Sequence, residues 1–102
     1  MSPPQILLDV RYEADASRAI DDACEKWART DDQVRLLEWI IIRDPREGKA
    51  LTESGMTRTL TLPGAVSINA PTVTFVYVIE ELCIAVQSAR FEDAKPETRT
   101  LH

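Results

Sequence analysis

Histidine is nearly absent. The only one, His102, is the last of the 102 residues, so no internal imidazole is at hand as a general base or a metal ligand. Histidine-based metal sites and Ser-His-Asp arrangements are thereby excluded, and no metal or cofactor is expected. Cysteine is scarce as well. Cys24 and Cys83 are the only two, they form no Cys-x-x-Cys pair, and each lies in an apolar run, so two small buried thiols are expected. Long apolar runs are missing too. Apolar stretches such as Leu82 to Val86 are far too short to span a bilayer. The opening MSPPQILLDV has neither the basic start nor the apolar stretch of a secretory signal. A cytoplasmic protein without membrane contact is the expectation.

Positive charge is in deficit. Twelve Lys and Arg face seventeen Asp and Glu, for a net charge of −5. Nucleic-acid binders carry a basic footprint, and this chain has none globally. A basic patch would have to be assembled by folding scattered arginines together.

What remains is an ordinary globular mixture, 44% hydrophobic and 28% charged. The length fits one domain, assigned to residues 1–94, and the polar tail 95–102 around Pro96 is expected to be mobile. One core can form at this size, but its margin is thin, so a partner chain or a homodimer would add to stability.

Ile6 to Tyr12, ILLDVRY, alternates and predicts a strand with one buried face. Ala16, Ala19, Ile20, Ala23, Cys24 and Trp27 then recur at helical spacing, with Asp15 or Ser17 as the cap. Thr30, Asp31 and Asp32 offer a second cap. The stripe Val34, Leu37, Ile40 and Ile41 follows, widened by Leu36, Trp39 and Ile42. Asp44-Pro45 ends that helix. TRTLTL (57–62) sends Leu60, Leu62 and Arg58 to one face and Thr61 to the other. A loop, PGAVSINAPT (63–72), leads to strand Val73 to Ile79, an acidic turn at Glu80-Glu81 and a last strand from Leu82 to Val86. The order β-α-α-β-β-β gives an α+β domain: a mainly antiparallel sheet with a helical hairpin on one face.

The ordered set of Pro45, Gly48-Lys49-Ala50-Leu51, Arg58, Phe75-Val76-Tyr77 and Glu80-Glu81 resembles the RelE/ParE superfamily, the toxin half of type II toxin–antitoxin pairs. The resemblance spans about residues 6–93. It implies a toxin-like component that acts on translation or on DNA gyrase and is neutralised by a cognate antitoxin-like protein. In the RelE branch it implies a metal-independent endoribonuclease, an mRNA interferase working at the ribosome. Arg58 then matches the basic position of the second strand, and Arg90 the basic position just after the last strand. Both are the implied catalytic groups. Fixed guanidinium groups stabilise the charge that gathers on phosphate oxygens in such a transition state. Lys49, Arg46, Tyr77 and Phe91 are the implied contacts to nucleic acid or partner.

Plainer readings stand beside these. Arg58 can bury its stem and free its head, Arg90 can be a solvated strand end, and Lys49 a solvated turn residue. Tyr77 reads as core, Arg43 and Arg46 as cations favoured at a helix C-terminus, and Trp27 and Trp39 as packing residues. The alternative function is a non-catalytic protein-interaction module with a degenerate RelE-like fold. A free edge strand would admit a partner's extended peptide by strand addition.

Overall fold

The computed structural model describes residues 9–96. Ile6 to Leu8 of the expected first strand, His102 and most of the expected tail lie outside the described residues. The elements are β1 (Asp9–Tyr12), α1 (Ala14–Lys26), α2 (Thr30–Arg43), β2 (Lys49–Ala50), β3 (Thr57–Leu62), β4 (Thr72–Ile79) and β5 (Cys83–Glu92). Short 3-10 turns fall at Pro45–Glu47 and Val66–Ile68. The sheet runs β1-β5-β4-β3-β2, antiparallel except where β1 joins β5 in parallel. This is the α+β layout that the sequence predicts, with β2 added.

One face of the sheet is covered. Ala16 of α1 and Val34, Leu37 and Ile41 of α2 pack on Val73, Phe75, Tyr77, Ile84 and Val86. Tyr12, Leu60, Leu62, Ala89 and Phe91 close the margins of this core. Alternation along each strand places Thr57, Thr59, Thr61, Thr74, Val76, Val78, Ser88 and Arg90 on the other face, which no helix among the described residues covers.

Several expectations change. The α2 stripe is narrower than the apolar residues suggest, because Trp39 is 54% and Leu36 45% exposed. Cys24 is exposed and Cys83 half-buried, so the thiols are not core groups. Neither Asp15 nor Ser17 caps α1; the N-cap is Glu13, without a side-chain bond. Thr30 is the first residue of α2 and works backwards. Its buried hydroxyl donates toward the carbonyls of Ala23 and Trp27, each at 2.9 Å, and so completes the end of α1. Asp31 and Asp32 do lie in the first turn of α2, where the dipole favours negative charge.

The largest correction concerns β5. It does not stop at Val86 but runs to Glu92, with a bulge at Gln87 where the register against β4 shifts between Val76 and Tyr77. The strand continues because Ala89 and Phe91 return to the core side opposite Phe75 and Val73. Arg90 therefore sits inside a strand, paired with Thr74, and not after one. Lys49, read as a turn residue, belongs to the edge strand β2 opposite Thr59.

Candidate functional site

Four of the residues quoted for the resemblance, Pro45, Gly48, Arg58 and Tyr77, meet at the end of α2. Asp44 leaves helical geometry ahead of Pro45, and its carboxylate accepts from the Arg46 N–H at 3.2 Å, which shapes the turn. Tyr77, fully buried on β4, reaches this turn from below. Its hydroxyl donates to the Pro45 carbonyl at 2.7 Å and accepts from the Gly48 N–H at 3.2 Å. Burial pushes the phenol above its usual pKa, and the Gly48 N–H and the Arg58 charge offset part of that. Gly48 must be glycine here. A Cβ would stand 2.5 Å from the Tyr77 hydroxyl and 2.7 Å from the Thr59 carbonyl.

Arg58 completes the cluster. Its register opposite Tyr77 turns it to the helix side of the sheet. There Nε donates to the Gly55 carbonyl at 2.8 Å, and Nη1 to the carbonyls of Gly48 at 2.6 Å and Arg46 at 3.1 Å. Three of the five guanidinium N–H groups are thus committed to backbone. Gly55, at φ +73°, gives the tight bend that brings its carbonyl into range. Pro45, Gly48, Arg58 and Tyr77 form one clamp that fixes residues 45–55 against the sheet.

Arg90 lies elsewhere. It faces the uncovered side, is largely solvated, and is 3.5 Å from the Glu92 carboxylate. Arg58 and Arg90 are not brought together; they project from opposite faces. Lys49 is on the open face, in line with Thr59, Val76 and Ser88. Three strand spacings, about 14 Å, separate it from β5. Arg46 is exposed beside the clamp. Phe91 is on the covered side, with its ring 6.4 Å from that of Trp27. The cations of the open face are dispersed: Arg90 is neighboured by Glu92, Arg11 of β1 pairs with Glu80 at 3.0 Å, and Lys49 stands on the far edge strand. Among the described residues no group of three His, Cys, Asp or Glu side chains is placed to hold a metal ion.

Two surface features depart from the sequence reading or lie outside it, and the first corrects Trp39 as a packing residue. Trp39 stands out from α2 with the Arg43 guanidinium 4.5 Å above its ring. Helical geometry foretells this, since Trp39 is two residues from both Leu37 and Ile41 and so points away from their face. The loop between β3 and β4 presents Val66 and Ile68 at 61% and 55% exposure. It is rigidly closed. Ala65 and Ala70 exchange backbone bonds at 2.9 and 3.0 Å, and the Gln33 amide donates to the carbonyls of Pro63 and Pro71. No sequence signal separates this tip from an ordinary loop.

Desolvation and the neighbouring Asp31 carboxylate, 3.4 Å from the sulfur, raise the pKa of the exposed Cys24 thiol, which disfavours its thiolate. No helix among the described residues is long and apolar enough to cross a membrane. Comparison with protein families, with curated proteins and with solved structures finds no match.

Proposed function

We propose that this chain is a toxin-like component of a type II toxin–antitoxin pair, of RelE/ParE-like architecture, that acts through protein contacts and not by cleaving RNA. The observation that carries this reading is the separation of Arg58 from Arg90. Phosphate-transfer chemistry without metal needs fixed cations aimed at one phosphate. Here Arg58 spends its donors on the carbonyls of Arg46, Gly48 and Gly55, and Arg90 points from the other face toward Glu92. The acid excess of the chain also suits a protein target better than a polyanion. For a member that does not cleave RNA, the resemblance implies DNA gyrase as the target and an antitoxin-like chain as the neutralising partner.

Induction of the chain in a bacterial host tests this. Expected are growth arrest, gyrase-linked DNA damage and intact mRNA by primer extension, with arrest relieved by a small protein from the neighbouring reading frame. Codon-phased mRNA cuts that vanish in Arg58→Ala and Arg90→Ala would overturn it in favour of the ribonuclease. Undisturbed growth would leave the same surface as a binding module without toxicity, since the separated arginines support that reading equally.

A further inference from the structure

Arg46 and Arg58 converge on Gly55, at the far end of the clamped segment. Gly55 is buried. A Cβ built there would lie 3.2 Å from Arg58 Nη2 and 3.4 Å from Arg46 Nη1, and among the described residues nothing else beyond its two chain neighbours comes within 4 Å of that point. A glycine at φ +73° thus lets two guanidinium groups close over one backbone position. Like charges held this close repel. Yet among the described residues neither guanidinium has a carboxylate partner. The Asp44 carboxylate is engaged with the Arg46 N–H of its own turn, and Glu47 and Glu53 are exposed. Arg58 is pinned, with Nε and Nη1 taken by the carbonyls of Gly55, Gly48 and Arg46. That leaves Nη2, the edge turned to the side where Arg46 Nη1 lies. Arg46 itself is bonded only through its backbone N–H and carbonyl among the described residues.

We propose that Arg46 and Arg58 form a receptor for one carboxylate, an Asp or Glu side chain of a partner protein. An oxyanion seated across Arg46 Nη1 and Arg58 Nη2 converts their repulsion into two charge-assisted hydrogen bonds. A guanidinium already fixed by three carbonyls loses little further freedom on binding. A carboxylate suits the pair better than a nucleic-acid phosphate. It brings a single charge, whereas a polyanion would also meet the chain's net charge of −5. The proposal rests on the reading above only in that the occupant is a protein, and it adds the chemistry by which that protein is recognised.

Nuclear magnetic resonance of the full chain at constant ionic strength tests the site. The probes are a capped Gly-Glu-Gly peptide, its Gln counterpart and inorganic phosphate. Saturable shifts of the Gly55 and Met56 amides and of the Arg58 Nε–H are expected with the Glu peptide at millimolar concentration, and none with the Gln peptide. Arg46→Gln should weaken this binding roughly tenfold, as loss of one charge-assisted bond implies, at an unchanged urea midpoint. Arg46→Lys should retain part of it. Gly55→Asn keeps a left-handed backbone but parts the two guanidinium groups, and should weaken binding as well. The absence of a saturable shift, equal shifts with the Gln peptide, or binding indifferent to Arg46→Gln overturns the proposal. Saturation by phosphate with no response to the Glu peptide overturns it too and gives the pair to a phosphate. The titration uses the isolated chain and growth arrest uses cells, so the site and the proposed function can fail separately.

Discussion

The hydroxyl of Tyr77 bridges two backbone groups of a different segment, the Pro45 carbonyl at 2.7 Å and the Gly48 N–H at 3.2 Å. This ties the central strand β4 to the chain leaving α2. The Gly48 N–H is buried, so removing the hydroxyl leaves it unpaired. We expect Tyr77→Phe to cost about 1–3 kcal/mol, read as a lower urea midpoint at unchanged slope. Gly48→Ala should cost more, because its Cβ meets the phenol oxygen and the Thr59 carbonyl at under 3 Å. Near-equal wild-type midpoints for both variants would remove the clamp as a stabilising feature.

The chain's two tyrosines make stability sensitive to alkali. Burial raises the pKa of Tyr77; burial, then the hydrogen bond to Glu38 and its charge, raises that of Tyr12. A folded pKa above the unfolded value of 10.0 means that the neutral phenol is favoured in the fold. This contribution is fully present below pH 10 and is lost as pH rises through the folded values. The urea midpoint should therefore fall above pH 10, and tyrosinate absorbance should appear together with unfolding and not before it. Tyr12→Phe and Tyr77→Phe should each flatten this alkaline loss relative to neutral pH. A smooth tyrosine titration near pH 10 in folded protein would contradict the argument.

How far the sequence reaches is clearest at β5. The apolar run from Leu82 to Val86 was legible as a core strand, and Ile84 and Val86 do lie in the core. The bulge at Gln87 was not, because it breaks the period of two, so Gln87-Ser88 reads as an ending while the strand resumes the core side at Ala89 and Phe91. Pro45, Gly48, Arg58 and Tyr77 were legible as a set. Their common purpose was not, since it depends on which face β3 and β4 share, and register is a tertiary fact. Arg58 shows the consequence. A cation on a leucine face can serve chemistry or backbone, and only the three carbonyls around it decide for backbone. Thr30 shows the same limit at a helix end, where its hydroxyl serves α1 and not α2.

The two tryptophans should report separately. Trp27 is 9% exposed, with its indole N–H donating to Asp93 at 3.0 Å, whereas Trp39 is 54% exposed. In Trp39→Phe the remaining emission should be blue-shifted and poorly quenched by iodide. In Trp27→Phe it should be red-shifted and readily quenched. Trp39→Phe should leave stability within about 0.5 kcal/mol, as for a surface change. Equal quenching of the two variants would contradict the orientation of α2.

Arg58 and Arg90 differ most sharply in what they hold. Arg58→Met leaves the carbonyls of Arg46, Gly48 and Gly55 without their donor and should cost about 1–3 kcal/mol. Arg58→Lys should recover only part of this, since an ammonium cannot span the positions reached by Nε and Nη1 together. Arg90→Ala removes only an exposed contact to Glu92, and the monomer should stay within about 0.5 kcal/mol of wild type. Urea midpoints measured at a concentration where every variant is monomeric give the ranking. If induced chain arrests growth, weakened arrest in the Arg58 variants should track their folded fraction, and chaperone overexpression or lower temperature should restore it. Arrest abolished in a fully folded Arg58→Lys protein would instead assign Arg58 to the action itself.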